Sequence, residues 1–396
     1  MPIYHKLGRL PAKRHVAFRQ ADGSLYYEQL MGNLGFSGLQ SLLYTLRRPT
    51  TVKAVTMAWT TPREAEPGRP LRMRHLRAHR LESAGGSPVR DRQLLLFNQD
   101  VALSLTRPTV ADPYYYRNAR ADEILYVARG TGTLESQFGS LPYREGDYLV
   151  IPRGIIHRLC PAADQQIQLV IESRGHVRTP RRYRNEHGQL LEHSPYCERD
   201  LRLPSDLPVH DECGEFEVIT RVGDTCHRVV MDHHPLDTVG WDGYYYPWAF
   251  NINDFEPIVG RIHQPPPVHQ TFEGDGFVIC SFCPRPYDFD PNAVPAPYNH
   301  SNVDSDEVLY YASSEFMSRK GIEFGSITLH PDGIPHGPHP GRAEASIGAQ
   351  RTDELAVMMD SFRPMKVASA AVKIEDDSYH RSWIDAQHAG FNPPTT

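Results

Sequence analysis

The chain carries the same two motifs twice, in the same order. One copy begins Tyr116-Arg-Asn118-Ala-Arg-Ala-Asp122-Glu123-Ile-Leu-Tyr126, the other His300-Ser-Asn302-Val-Asp-Ser-Asp306-Glu307-Val-Leu-Tyr310. Asn, Asp-Glu, an aliphatic residue, Leu and Tyr stand at equal offsets. Downstream, Ile151-Pro152-Arg-Gly154-Ile-Ile-His157 matches His330-Pro331-Asp-Gly333-Ile-Pro-His336, both reading Pro-x-Gly-x-x-His. The interval from Glu to His is 34 residues in the first copy and 29 in the second, a difference of one hairpin loop. Two blocks matched in order and separation predict two units of one architecture.

The runs around these motifs predict that architecture to be mainly β. Leu94–Phe97, Ile124–Val127, Tyr148–Ile151, Gln168–Ile171, Phe277–Cys280 and Val308–Tyr311 are short, β-branched or aromatic, and closed by turn residues. With 34 Pro, 29 Gly and 20 Tyr, the composition favours short strands in a sandwich or barrel. Helical signals are weak; Gln40–Thr45 reads as a short turn of helix.

Each motif has a mechanical reading. The first places a potential ligand and then Glu on adjacent strands or across a turn. The second is a tight Pro-x-Gly turn feeding a His onto the next strand. His300, Glu307 and His336 converging from neighbouring strands make a 2-His-1-carboxylate set with open positions, the usual arrangement for non-haem Fe(II) oxygenases. In the first copy Tyr116 replaces the leading His and only Glu123 and His157 remain. Two ligands hold a catalytic metal poorly, so the first copy reads as a structural unit that has lost its metal. Asp306 and Glu307 are adjacent and point to opposite faces of a strand. Both copies keep the pair, so the repeat alone does not choose between them; Glu has the longer reach.

Other classes are disfavoured. A net charge of -6 and only short basic clusters, such as Arg181-Arg182-Tyr183-Arg184, give no nucleic-acid footprint. Cys160, Cys197, Cys213, Cys226, Cys280 and Cys283 are too scattered for a disulfide framework, and Cys280-Ser-Phe-Cys283 has no second pair. The N-terminus lacks the apolar core of a secretory signal and no apolar run reaches membrane-spanning length, so a cytoplasmic chain with no membrane partner is expected. Pro- and charge-rich stretches at 179–208 and 284–297 suggest boundaries, and the polar end after Lys373 is expected to be mobile. His233-His234 precedes a Pro turn and is expected to be solvated; His269 and His339 are expected to be bystanders.

His300-x-Asn302-x4-Glu307 and Pro331-x-Gly333-x-x-His336 resemble cupin motifs, and their spacing favours Glu307 as the carboxylate. The wider context resembles the homogentisate 1,2-dioxygenase family. The resemblance rests on Val239-Gly240-Trp241-Asp-Gly243-Tyr, Asn251-Ile-Asn-Asp-Phe255, Pro297-Tyr298-Asn299-His300, Leu329-His330, Pro335-His336-Gly337-Pro338 and Glu354–Phe362. Lys13-Arg14-His15 and Gly23-Ser-Leu-Tyr-Tyr-Glu28 are similar to the shorter bacterial branch. Two departures stand out. The family's interval from the first ligand His to the Glu is one residue shorter, and strict counting picks Asp306. The piece between His263 and His300 is also shorter and Pro-rich.

The resemblance implies a bicupin of two jelly-roll units. These would be a degenerate N-terminal unit over 1–178, a linker over 179–235, a catalytic cupin over 236–372 and a tail over 373–396. It implies Fe2+ on His300, Glu307 and His336, with Mn(II) sharing that ligand set. It implies His263 and His330 as catalytic histidines, Tyr298 and His336 beside the substrate, and ring opening of homogentisate by O2 to maleylacetoacetate. Alternatives are another dihydroxylated aromatic, gentisate-like or biosynthetic, and a non-catalytic metal-binding cupin. Arg285, Arg319 and Lys320 are the cations available for a substrate carboxylate. The partners implied are a small aromatic, O2 and further copies of the chain, as a trimer or hexamer.

Overall fold

The computed structural model describes residues 3–82, 85–162 and 165–384. The chain forms two compact units, and each is discontinuous in sequence. The first takes 1–63, 83–94 and 102–254; the second takes 64–82, 95–101 and 255–396. Both are built of strands. Every run read above as a strand lies within one, and among the described residues the α-helix is a single short piece, Arg342–Ser346.

In the first unit, Asp122–Arg129 runs between Asp147–Ile151 and Ile167–Ser173, antiparallel to both. Its burial is nearly continuous on both faces, which is why the sequence shows an unbroken apolar run rather than alternation. A seven-stranded sheet places Tyr115–Asn118 between His157–Pro161 and Cys213–Val222. A four-stranded sheet places Gln40–Thr45 between Tyr27–Gly32 and Thr238–Gly243. The helical reading of Gln40–Thr45 is thereby corrected. Leu42, Leu43 and Tyr44 are all buried, and a run covered on both faces carries no period that separates helix from strand.

The second unit repeats the arrangement. Asp306–Tyr311 lies between Ile327–His330 and Ala356–Ser361, antiparallel to both. The six-stranded sheet is closed at one edge by Arg74–Leu76. The Pro-x-Gly turns are superposable in their bonding. Gly154 (φ 80°) donates its N–H to Asn118 O at 2.7 Å, and Gly333 (φ 74°) donates to Asn302 O at 2.7 Å. Both glycines adopt the left-handed conformation that side-chain-bearing residues avoid. Each turn then delivers its His opposite the leading residue of the motif: His157 pairs with Tyr116, and His336 with His300.

The boundaries differ from those read in the sequence. The expected linker contains two long strands, Cys213–Val222 and Thr225–His233, which form a hairpin within the seven-stranded sheet. The Arg- and Glu-rich part, 179–208, is largely turns and 3-10 pieces, as a surface excursion would be, and only the later part is strand. Residues 236–254 belong to the first unit, where Trp248–Asn251 pairs with Asp147–Ile151. The segment expected to be mobile is packed from 373 to 384: Ser369–Ile374 and Tyr379–Arg381 are 3-10 turns, and Tyr379 is 4% exposed. The remainder of that tail lies outside the described residues.

Candidate metal centre

Glu307 projects from its strand toward His300 and His336. Its Oε2 lies 3.7 Å from His300 Nε2 and its Oε1 lies 3.6 Å from His336 Nε2. The imidazoles meet at 61° with centroids 4.3 Å apart. Both are turned by the same device. His300 Nδ1 lies 3.2 Å from the carbonyl of Tyr298, and His336 Nδ1 lies 3.4 Å from that of Ile334. An Nδ1–H committed to a carbonyl leaves Nε2 as the free ligand atom. His336 Nε2 is buried and has no hydrogen-bond partner.

Separations of 3.6–3.7 Å are too long for hydrogen bonds and close to the spacing of ligands sharing one ion at bonds of about 2.1 Å. All three ligand atoms lie within 4.8 Å of one another. The donor set, two imidazoles and a carboxylate on one side with a cavity on the other, fits a divalent transition-metal ion.

The Asp306 alternative is geometrically closed. Asp306 points to the opposite face, where its carboxylate accepts the N–H of Asp332 at 2.9 Å and of Met365 at 2.6 Å. Asp122 does the same in the first unit, accepting from Arg153 N at 3.1 Å and Val177 N at 3.0 Å. The repeated Asp therefore ties the Pro-x-Gly turn and a following segment to the strand, while the repeated Glu faces the site.

His330 does not reach the cavity. It is fully buried, its Nδ1 donates to Glu307 Oε1 at 2.7 Å, and its Nε2 sits 3.3 Å from Tyr379 Oη. Burial pushes its imidazole down to about 4 despite the neighbouring carboxylate, so it is neutral and orients Glu307. The expected catalytic role is corrected to that of a positioning residue, because both ring nitrogens are turned to Glu307 and Tyr379 and the ring lines neither recess. Burial alone would raise Glu307, but the imidazoles of His300, His330 and His336 around its carboxylate hold it well below the usual carboxylate range. His300 is raised by its interaction with Glu307.

The open face leads to two connected recesses. His263 lines both, with its ring edge-on to Tyr298 at 5.1 Å. Burial lowers the His263 imidazole, leaving it neutral and able to accept a proton. Tyr298 is 59% exposed at the outer recess. The inner recess is walled by Phe282, Leu309, Phe316 and Met358 and carries Arg285 and Arg319. Arg285 is matched by Glu354 at 2.8 Å. Arg319 is 4% exposed, donates to Gly337 O at 2.7 Å, and stands 4.0 Å from the Glu307 carboxylate. Its Nε is buried without a partner.

Four cavity or support residues were not legible as such in the sequence. His269, read as a bystander, lines the inner recess and is pushed down to about 3 by burial. Asp360 lies across from Glu307 on the next strand, lines the outer recess, and is raised to about 7 by burial and then by Glu307. A lone Asp in the apolar run Ala356–Ser361 was its only sequence signal. Tyr379 and Trp383 close the back: Trp383 donates to Gly337 O at 3.1 Å and stacks on His339 at 4.0 Å.

His233 and His234 are buried, not solvated. His210, Glu212 and His234 also cluster, but both nitrogens of His234 are engaged, Nε2 with Tyr115 Oη at 2.8 Å and Nδ1 with the Leu236 N–H at 3.1 Å. Cys280 and Cys283 are buried free thiols.

The family model "Homogentisate 1,2-dioxygenase N-terminal" matches residues 104–252. A protein of Saccharolobus solfataricus named "Putative dioxygenase SSO1533" is 41% identical over 97% of this chain and 99% of its own length. The chain belongs to the homogentisate 1,2-dioxygenase family. More distant members are the homogentisate 1,2-dioxygenases of Bradyrhizobium diazoefficiens, 24% identical over 70% of this chain and 64% of that protein, and of Caenorhabditis elegans, 26% identical over 67% and 63%. Family membership makes the chain a relative of dioxygenases, and His300, Glu307 and His336 form its candidate metal site. No helix among the described residues is long and apolar enough to cross a membrane.

Proposed function

We propose that this chain is an Fe(II)-dependent dioxygenase that opens the ring of a dihydroxylated aromatic acid, with homogentisate the first substrate to test. The observation that carries the reading is the set His300, Glu307 and His336, with the orphaned Nε2 of His336, beside two recesses that share His263, the outer one holding Tyr298 and the inner one Arg319. When bound, a ferrous ion supplies Lewis acidity toward a phenol and an electron route between an electron-rich ring and O2. The protein's own groups do the rest. Neutral His263 accepts the phenolic proton at its imidazole. The apolar inner wall receives the ring and excludes water. Arg319, whose charge is not matched by a carboxylate of its own, anchors the substrate's acid group. His330 keeps Glu307 in place.

A second aromatic acid as the natural substrate is favoured by one observation: identity is 41% to a relative whose name specifies no substrate and 24–26% to those named for homogentisate.

Oxygen uptake by anaerobically Fe(II)-reconstituted protein, with a metal-free control, separates these. Rapid iron-dependent uptake with maleylacetoacetate formed supports homogentisate; uptake only with other hydroquinone acids moves the substrate. No uptake with any of them sinks the reading. Arg319→Met is expected to raise KM for the acid substrate more than it lowers kcat.

A further inference from the structure

The first unit retains most of a metal site. His157 repeats the posture of His336: its Nδ1 lies 2.9 Å from the carbonyl of Ile155, and its Nε2 is buried with no partner. Glu123 occupies the place of Glu307, and Tyr116, opposite His157, donates its hydroxyl to Glu123 Oε1 at 2.8 Å. The sequence attributes the loss of metal to Tyr116. The structure shows a second difference that the motif alignment does not contain.

Arg92, from outside both motifs, has its guanidinium in this site. Its Nη2 lies 2.9 Å from Glu123 Oε2, its Nη1 lies 3.6 Å from Glu172 Oε1, and its charged carbon stands 5.4 Å from the centre of the Tyr116 ring. Its side chain is 5% exposed. Glu172 is opposite Glu123 on the neighbouring strand, the register position that Asp360 holds in the second unit. Glu172 is also paired with Arg221, and with Arg63 at 3.2 Å. Arg63 in turn reaches Asp224 at 3.3 Å near the surface. In the interior, two guanidiniums, Arg92 and Arg221, therefore face two carboxylates, Glu123 and Glu172, and their charges cancel. A divalent ion entering beside Glu123 would leave two positive charges uncompensated there, and uncompensated charge is strongly disfavoured in a buried site. In the second unit the guanidinium beside Glu307, that of Arg319, stands 4.0 Å away and makes no hydrogen bond to it, so it does not occupy the carboxylate as Arg92 occupies Glu123.

We infer that Arg92 is what keeps the first unit free of metal, and that the site it guards, formed by Glu123, His157 and the side chain at position 116, is competent for a divalent transition-metal ion once that guanidinium is gone. Ligand count is the lesser obstacle and internal charge the greater. A third ligand at position 116 without removal of Arg92 leaves the electrostatic block intact.

Co(II) binding distinguishes the two explanations. Tyr116→His, Arg92→Met and the double variant are equilibrated with Co(II), and bound cobalt is read by metal analysis and by visible ligand-field absorption, always as the increment over the unaltered protein. Tyr116→His alone is expected to take up no more cobalt than the parent; the double variant is expected to take up about one more ion per chain with an added His-ligated absorption band. The comparison is independent of what the second unit binds, because only the increment is scored. A full extra equivalent in Tyr116→His overturns the inference, and so does a folded double variant with no increment. Should the double variant fold poorly, Tyr116→His still decides, since it keeps the Arg92 network. Arg92→Lys with Tyr116→His, which retains a charge, is expected to gain no ion.

Discussion

Two adjacent carboxyl side chains, Asp306 and Glu307, divide structure from chemistry. Glu307→Ala is expected to abolish divalent-ion retention, measured after dialysis against a weak chelator. Asp306→Ala is expected to keep the ion and lose about 2–3 kcal/mol of stability, because two backbone N–H groups lose a charged acceptor. The reverse pattern would move the ligand to Asp306. Much of the residue level was legible. The repeat brought forward His300, His336 and the Asp306-Glu307 pair, the resemblance to cupin motifs favoured Glu307, and family resemblance pointed to His263 and Tyr298, which line the same recess. What misled was depth. His330 sits on a strand next to Glu307, and a sequence cannot distinguish a histidine that faces a cavity from one whose ring is spent on a neighbour's carboxylate. Asp360 was invisible because one acidic residue in an apolar strand looks like any surface position until its register partner is known.

Among the elements, strands were read well and packed irregular segments badly. A strand announces itself by β-branched and aromatic residues. Residues 376–384 are polar and look like a fraying end, yet Tyr379 lies 3.3 Å from His330 Nε2, Ser382 bonds His339 at 2.7 Å, and Trp383 covers Gly337. The three form a brace behind the ligand set. Tyr379→Phe removes only the hydroxyl that meets His330, and is expected to weaken divalent-ion affinity about ten-fold with little change in melting temperature. Unchanged affinity in a chelator competition would reduce Tyr379 to packing. The strand Gln40–Thr45 was misread for the opposite reason, since complete burial erases the alternation that identifies a strand.

For the molecule as a whole, buried neutral histidines set its behaviour in acid. Burial lowers both His75 and His234 to about 4 from an ordinary value of 6.5. Between those values the unfolded chain binds protons that the folded chain does not, so folding stability falls as pH drops through this window and is fully present above it. The melting temperature is expected to be flat above neutrality and to fall by several degrees between about pH 6.5 and 4.5, before most carboxylates titrate. His75→Gln is expected to flatten part of that slope, since Gln still reaches Ser326, the present partner of His75 Nε2 at 2.9 Å. A melting temperature that holds steady to pH 4.5 would show that these rings are not held neutral.

The interleaving of the two units carries a consequence for how the protein is made. Residues 64–82 and 95–101 of the second unit leave the ribosome before all of 102–254, and their partners from 255 onward follow only afterwards. At about 5–20 residues per second, the strand Arg74–Leu76 waits roughly 13–50 s for the edge of Ile327–His330 that it must pair with. Throughout that interval the nascent chain presents an unpaired strand with nothing to occupy it. The metal-ligand strands are thus finished last, on a chain whose first unit has already been fully synthesised. A gene cut at 178 or 236 would separate those strands from a partner encoded some 250 residues upstream.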